Sequence, residues 1–351
     1  MKIKFLIVSG FCSIFFFTSP LFPTVTCYAG SAGVDQDCLQ NLFETGPDNL
    51  TMGEARRMCA APEPKQDHER VRESVTLEKS GQGVITERLE VDQSNIRKPF
   101  TLMSHRNNYI LLGAYNTKGW NAARFAEAYD KEDLEADDLE VEFQLSIKTP
   151  LAIDMFDSGI DLFAAYTVRS HWQFYNSDMS SPFRETNHEP EAWLQMQPEN
   201  LEIFGFTNTV NGVGINHMSN GQGGLLSRSW NRVVGFFSFE KDNLAVMFRP
   251  WIRIEESLED DDNTDITDFY GHGELWLAYT LGEHTFSFMS RNNLESGFSK
   301  GAVELGWSFP LFGYPYLKGY IQYFSGYGAS LIDYNQYVNQ IGIGIQLTDV
   351  L

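Results

Sequence analysis

Positive charge is what this chain most conspicuously lacks: 26 lysines and arginines stand against 47 aspartates and glutamates in 351 residues, a formal net charge of −21. A surface this acidic repels phosphate backbones and argues against nucleic acid as a partner. Long apolar runs are nearly as scarce. The one at 5–17 is interrupted by Gly10 and Ser13 and stops near Pro20, short of the roughly 20 residues that a membrane helix needs. With Lys2 and Lys4 ahead of it and Cys27, Tyr28 and Ala29 behind, it reads as a secretory signal peptide over 1–29. No later segment reaches the length of a membrane helix, so a mature chain in a membrane must span it as a closed barrel. Cysteine is sparse too. Of the four, Cys12 and Cys27 would leave with the leader, and a disulfide between Cys38 and Cys59 in an oxidising compartment is the plain expectation, with the bond itself left open by the sequence. Metal-ligand spacing is absent among His68, His105, His171, His188, His272 and His284, for which loop or interface positions are expected.

What remains is organised in two parts. Residues 30–95 are polar, with one helix signal, a capping box from Thr51 to Glu54, and are read as a short N-terminal periplasmic extension. From Phe100 the texture changes to segments rich in Phe, Tyr, Trp, Val and Ile, often alternating and separated by Gly, Asn, Asp and Pro. Twelve are expected, near 100–115, 139–149, 159–174, 188–197, 201–219, 228–239, 243–254, 270–281, 284–292, 301–309, 317–327 and 337–350. Their connections alternate in length, with tight turns at 240–242 and 281–283 and long ones at 116–138, 175–187 and 255–269. Short turns on one side and long loops on the other are the habit of outer-membrane barrels. The fold expected over 96–351 is therefore all-β, a twelve-stranded antiparallel transmembrane β-barrel in the outer membrane of a Gram-negative bacterium. The even strand count puts 175–187, 220–227 and 293–300 on the extracellular side. A soluble sandwich or lipocalin-like barrel is the competing reading, and twelve strands behind a signal peptide weigh against it. Trp172, Trp193 and Trp251 lie near strand ends and are expected in an interfacial girdle. Arg228, Trp230 and Arg232 share an inward parity and predict a lumen filled by side chains. The acidic runs at 130–142 and 255–265 read as solvated loops.

One constellation carries chemistry. In the segment ending at 219, Val213, Ile215, His217 and Ser219 share the apolar, lipid-facing parity, while Gly212, Gly214 and Asn216 take the other. In the next segment Asn231 and Val233 share the outward parity, so Asn231 is co-facial with His217 and Ser219 across a hairpin. A serine hydroxyl becomes nucleophilic at neutral pH only beside a base, and a histidine serves as base only when its tautomer is held. Asn231 can supply that hold without a charge. Three polar side chains on a lipid-facing wall have a desolvation cost and no structural return, which points to function. A second serine motif, GFSKG at 297–301, fits the α/β-hydrolase nucleophile elbow. That elbow requires a strand-turn-helix on a parallel sheet, and here it falls in a loop. The rival function is a non-enzymatic barrel, a narrow pore or an adhesin.

The runs NHMSNG at 216–221, SRSWNR at 227–232, SSPFRETN at 180–187 and SGYGASLIDYN at 325–335 resemble the bacterial outer-membrane phospholipase A family, over about 99–351. The resemblance implies hydrolysis of phospholipid acyl esters (A1, A2 and lysophospholipase activity) by a calcium-bound homodimer, with the site at the extracellular side. It makes Ser219 the nucleophile, His217 the general base, Asn231 the residue that orients it, and Gly221 the amide that meets the oxyanion. Calcium (Ca2+) would take the Ser227 hydroxyl, the Gln222 carbonyl and, from the other subunit, the Ser180 carbonyl, all hard oxygen donors. Two positions depart from the family pattern. Gln222 stands where arginine is common, and Val168 where a polar glutamine can lie at the dimer interface.

Overall fold

Period-two alternation becomes twelve long strands: β1 (Asn108–Asn116), β2 (Leu139–Ala152), β3 (Ile160–Trp172), β4 (Glu185–Met196), β5 (Phe206–Ser219), β6 (Ser229–Lys241), β7 (Leu244–Ile254), β8 (Gly273–Leu281), β9 (His284–Asn292), β10 (Gly301–Leu311), β11 (Tyr314–Gly326) and β12 (Val338–Thr348). The structure, a computed structural model, describes residues 83–349 apart from positions 99, 132, 200, 258, 260 and 293. The chain divides into a unit at 1–76 and a unit at 77–351, and all described residues belong to the second. The signal peptide, the Cys38 and Cys59 pair and the capping box at 51–54 lie outside the described residues.

Each strand pairs antiparallel with its neighbour in sequence, and β12 returns to β1, with Ile345 opposite Ile110 and Ile341 opposite Tyr115. Closure leaves no sheet edge whose N–H and C=O groups would face hydrocarbon unpaired. Among the described residues no helix is long and apolar enough to cross a membrane. At one end the turns at 242–243, 282–283 and 312–313 are tight, while the other end carries the connections 117–138, 173–184, 220–228, 255–272, 293–300 and 327–337.

The two faces of the wall differ as the alternation requires. Outward positions are bare and apolar: Ile215 is 62% exposed, Ile252 72% and Ile343 60%, which suits lipid rather than water. Inward positions are charged but matched. Arg106 binds Glu189 at 2.8 Å, Arg249 binds Glu191 at 2.6 Å, Arg169 binds Glu142 at 2.6 Å, and Arg184 joins Glu140 at 2.9 Å to Asp333 at 2.6 Å. Toward the long-connection end, Trp230, Val234, Trp251, Ile266, Tyr270, Leu331 and Tyr334 form an apolar cluster.

At the tight-turn end a helix, α1 (Val84–Ile96), packs against the wall. It begins at Gly83, which has no side chain to cap the first turn. Glu240 from the end of β6 does so instead, accepting from the Ile85 amide at 2.8 Å and the Thr86 amide at 3.1 Å, donors that the helix itself cannot satisfy. Asp92 pairs with Lys148 at 2.6 Å, and Ile96 packs with Met103, Phe163, Ala165 and Trp193. Residues 84–95, read from sequence as part of the extension, therefore pack on the barrel.

Two expectations are corrected here. Trp193 and Trp251 are not girdle residues: both are buried, Trp193 packing with Ile96 and Phe163 and Trp251 donating to the Gly271 carbonyl at 2.9 Å. They share parity with inward Glu191 and Arg249, and parity outweighs nearness to a strand end. His171, on β3, is likewise neither a loop nor an interface residue, whereas His105 does lie outside the strands, in the irregular stretch before β1, with its ring turned inward. His105 meets Glu191 at 2.7 Å, and His171 is fully buried against Glu140.

Candidate active site

The site forms where β5 ends and β6 begins, at the long-connection end. The ladder sets His217 opposite Asn231 and Ser219 opposite Ser229. Directly opposed residues of an antiparallel pair point to the same face, and the apolar neighbours Val213, Ile215 and Val233 identify that face as the outer one. There His217 Nδ1 lies 2.8 Å from Asn231 Oδ1. The amide oxygen only accepts, so Nδ1 carries the proton and Nε2 keeps its lone pair. Ser219 is two residues from His217 on the same face, about 6.6 Å along the strand. Its hydroxyl makes no hydrogen bond to another described residue, so the Nε2 lone pair and the hydroxyl meet only by side-chain rotation.

On the other flank His188 of β4 lies in register with Ser219, and Val168 of β3 in register with His188. The His188 ring is engaged by Tyr166, whose hydroxyl lies 2.5 Å from Nδ1. Sequence reading set His188 aside with the other histidines, although its even position beside inward Asn187 and Glu189 marks it as outward. The departure at Val168 thus falls in the same outward row as Ser219.

Beyond Ser219 the chain is held by a residue that sequence reading passed over. Asn220 donates to the Leu226 carbonyl at 2.7 Å and accepts from the amides of Arg228 at 3.0 Å and Gln222 at 3.3 Å. One buried side chain thereby pins the whole 220–228 connection. Gly221 within it has φ of +63°, open to glycine at no steric cost, and its amide donates to no acceptor among the described residues. A free amide two residues from Ser219 is available to a negatively charged oxygen.

The expected calcium donors are distributed as follows. Gln222 and Ser227 lie on that same pinned connection, and the Ser227 hydroxyl donates to Asp262 at 2.5 Å. Asp262 belongs to the 255–272 connection, part of the acidic run read as a solvated loop. Ser180 lies apart in 173–184, where its carbonyl accepts from Trp172 Nε1 at 2.8 Å, and no hydrogen bond joins it to Gln222 or Ser227. The following Arg184 anchors that connection. Burial lowers its pKa, but Glu140 and Asp333 more than offset this and hold the guanidinium charged. Hydroxyl, carbonyl and carboxylate oxygens suit a hard cation, so the donor set fits calcium. Among the described residues no group of three or more His, Cys, Asp or Glu is arranged to hold a metal. The 255–272 connection reaches the other half of the site as well, since Asn231 Nδ2 donates to Glu256 at 2.5 Å. The GFSKG run lies in the 293–300 connection and the start of β10, with no parallel sheet to build an elbow.

Comparison with known proteins bears on this geometry. The profile of the phospholipase A1 family matches residues 85–347. The phospholipases A1 of Salmonella typhimurium and Escherichia coli K12 are each 38% identical over 252 residues, covering 72% of this chain and 83% of theirs. The outer membrane phospholipase A structure from E. coli superposes with a TM-score of 0.65 at 36% identity, covering 72% of this chain and all of that one. The calcium-bound dimer of the Salmonella typhi outer membrane phospholipase gives 0.66 at 36% identity, over 72% of this chain and 95% of that one. An E. coli active-site variant with asparagine replaced by alanine gives 0.66 at 35% identity, over 74% and 97%. The non-enzymatic alternatives fall away, and the chain belongs to the phospholipase A1 family of ester hydrolases.

Proposed function

We propose that the protein is a calcium-dependent outer-membrane phospholipase that hydrolyses acyl esters of phospholipids, with A1, A2 and lysophospholipase activity, through Ser219, His217 and Asn231 on its lipid-facing wall. The observation that carries this reading is the 2.8 Å contact of His217 Nδ1 with Asn231 Oδ1 on the outward face that also bears Ser219. An acyl chain in the membrane reaches that face without leaving hydrocarbon. The long connections at this end support an extracellular placement, and hence access to the outer leaflet.

The steps follow from the groups present. Ser219 Oγ attacks the ester carbonyl as its proton passes to His217 Nε2, and Asn231 Oδ1 accepts from Nδ1–H throughout, stabilising the imidazolium. The Gly221 amide donates to the developing oxyanion. His217 returns the proton to the leaving glycerol oxygen, and the lysophospholipid departs. Water deprotonated by His217 then attacks the acyl-serine, releasing fatty acid and restoring the Ser219 hydroxyl. Calcium, when bound, supplies fixed positive charge near the developing anion. Ser227 and Gln222 of one copy and Ser180 of a second would hold it, which makes the site a property of a homodimer. That a relative forms a calcium-bound dimer supports this arrangement.

The test is fatty acid release from phospholipid in detergent micelles. Release should require calcium, stop with chelator, and fall at least about 10³-fold with Ser219→Ala or His217→Ala. Undiminished release from either variant sinks the site assignment, and release untouched by chelation sinks the calcium assignment.

A further inference from the structure

Glu256 lies two residues past the end of β7, yet it reaches back to the outer face of the neighbouring strand, where Asn231 Nδ2 donates to its Oε1 at 2.5 Å. The other end of the same amide, Oδ1, faces His217 Nδ1 at 2.8 Å. The geometry points to Glu256 as a positioning residue for ester hydrolysis: its carboxylate holds the Asn231 amide in the one orientation that makes His217 a base at Nε2. This inference rests on the Ser219, His217 and Asn231 reading proposed above.

A carboxamide needs such a hold because its two ends are nearly identical in shape. Turned over, Asn231 would present Nδ2 to His217, Nδ1 would become the acceptor, and the ring proton would move to Nε2, the atom that must take the proton of Ser219. Nothing steric on an outer wall prevents that turn: the residue opposite Asn231 on β7 is Ile254, and the flanking outward positions are Val233 and Ile252. An ionised carboxylate can only accept. It therefore claims Nδ2 and turns Oδ1 toward His217, in a charge-assisted bond roughly twice as strong as a neutral one. When the imidazolium forms, the chain His217, Asn231, Glu256 places a negative charge one amide away. The work that a single aspartate does beside a catalytic histidine is here divided between a neutral orienter and an acid behind it. The competing explanation is that Glu256 only shapes the 255–272 connection, which also presents Asp262 to Ser227.

Steady-state kinetics of the full chain on phospholipid micelles at saturating calcium separate these. Glu256→Ala should lower kcat about tenfold, well short of the roughly 10⁴-fold that follows loss of an orienting acid in a charged triad, with KM changed less than about twofold. Glu256→Gln, which keeps an acceptor oxygen without the charge, should fall between wild type and Glu256→Ala. In an Asn231→Ala background, Glu256→Ala should cost less than about twofold further, since residues acting as one unit are non-additive. Nitrogen-15 spectra should show His217 protonated at Nδ1 in wild type and a tautomer mixture in Glu256→Ala. Wild-type kcat in Glu256→Ala, a full multiplicative loss in the Asn231→Ala background, or recovery by added calcium overturns the inference. Full activity of Ser219→Ala or His217→Ala overturns the underlying reading instead, and none of the Glu256 outcomes does that.

Discussion

Asn216 and His217 are consecutive residues on opposite sides of one strand, and their surroundings differ in kind. On the lumen side, Asn216 donates to Glu189 at 2.8 Å and accepts from Arg232 at 2.6 Å, and Glu189 in turn binds Arg106. On the outer side, His217 meets Asn231, Asn231 meets Glu256, and the Ser219 hydroxyl makes no hydrogen bond to another described residue. Both regions are polar, but Asn216, Glu189 and Arg232 of the lumen set are buried and the outer set is only half-buried. The lumen is a set of charges matched within the protein, which fills and braces the barrel. The outer set is polar groups on an apolar wall with one end left open, and that open end is Ser219, the proposed nucleophile.

The comparison can be broken at either side. The largest stability effect should come from the lumen. Arg184→Ala leaves Glu140 and Asp333 buried without their cation, and the usual cost of breaking a buried pair is about 3–5 kcal/mol. Urea unfolding of the detergent-folded protein should show a midpoint lowered accordingly, and an unchanged midpoint contradicts the structural role given to the lumen charges. A smaller effect should follow at the outer site. Asn231→Ala keeps the nucleophile and the base, loses only the hold on the ring, and should retain activity reduced roughly 10- to 100-fold, with an unfolding midpoint near that of wild type. A collapse of stability with Asn231→Ala would place the outer set among the structural polar groups.

Much of this was legible before any coordinates. Period-two alternation located all twelve strands, and the unequal connections located the two ends, because lipid on one side and a filled lumen on the other impose opposite demands on successive residues. The same parity put His217, Ser219 and Asn231 on one face. Where parity was applied it held. Where nearness to a strand end was used instead, as for Trp193 and Trp251, it failed. Other features depend on contacts distant in sequence. Glu240 capping α1 spans 155 residues to Ile85, and from the 255–272 connection Glu256 reaches Asn231 on β6 and Asp262 reaches Ser227 on the 220–228 connection. Inside an acidic run, neither differs from its solvated neighbours until the loop is folded. The brace at Asn220 had one available signal, its position directly after the nucleophile in a turn that needs side-chain acceptors.

Ser219, the open end of the outer set, is proposed here as a nucleophile activated by His217. Labelling with a long-chain alkylsulfonyl fluoride in calcium, followed by peptide mapping, tests it most directly. One modified residue, Ser219, is expected, with labelling lost in His217→Ala. Modification at Ser299 or any other serine, or labelling of Ser219 that proceeds unchanged without His217, would contradict it.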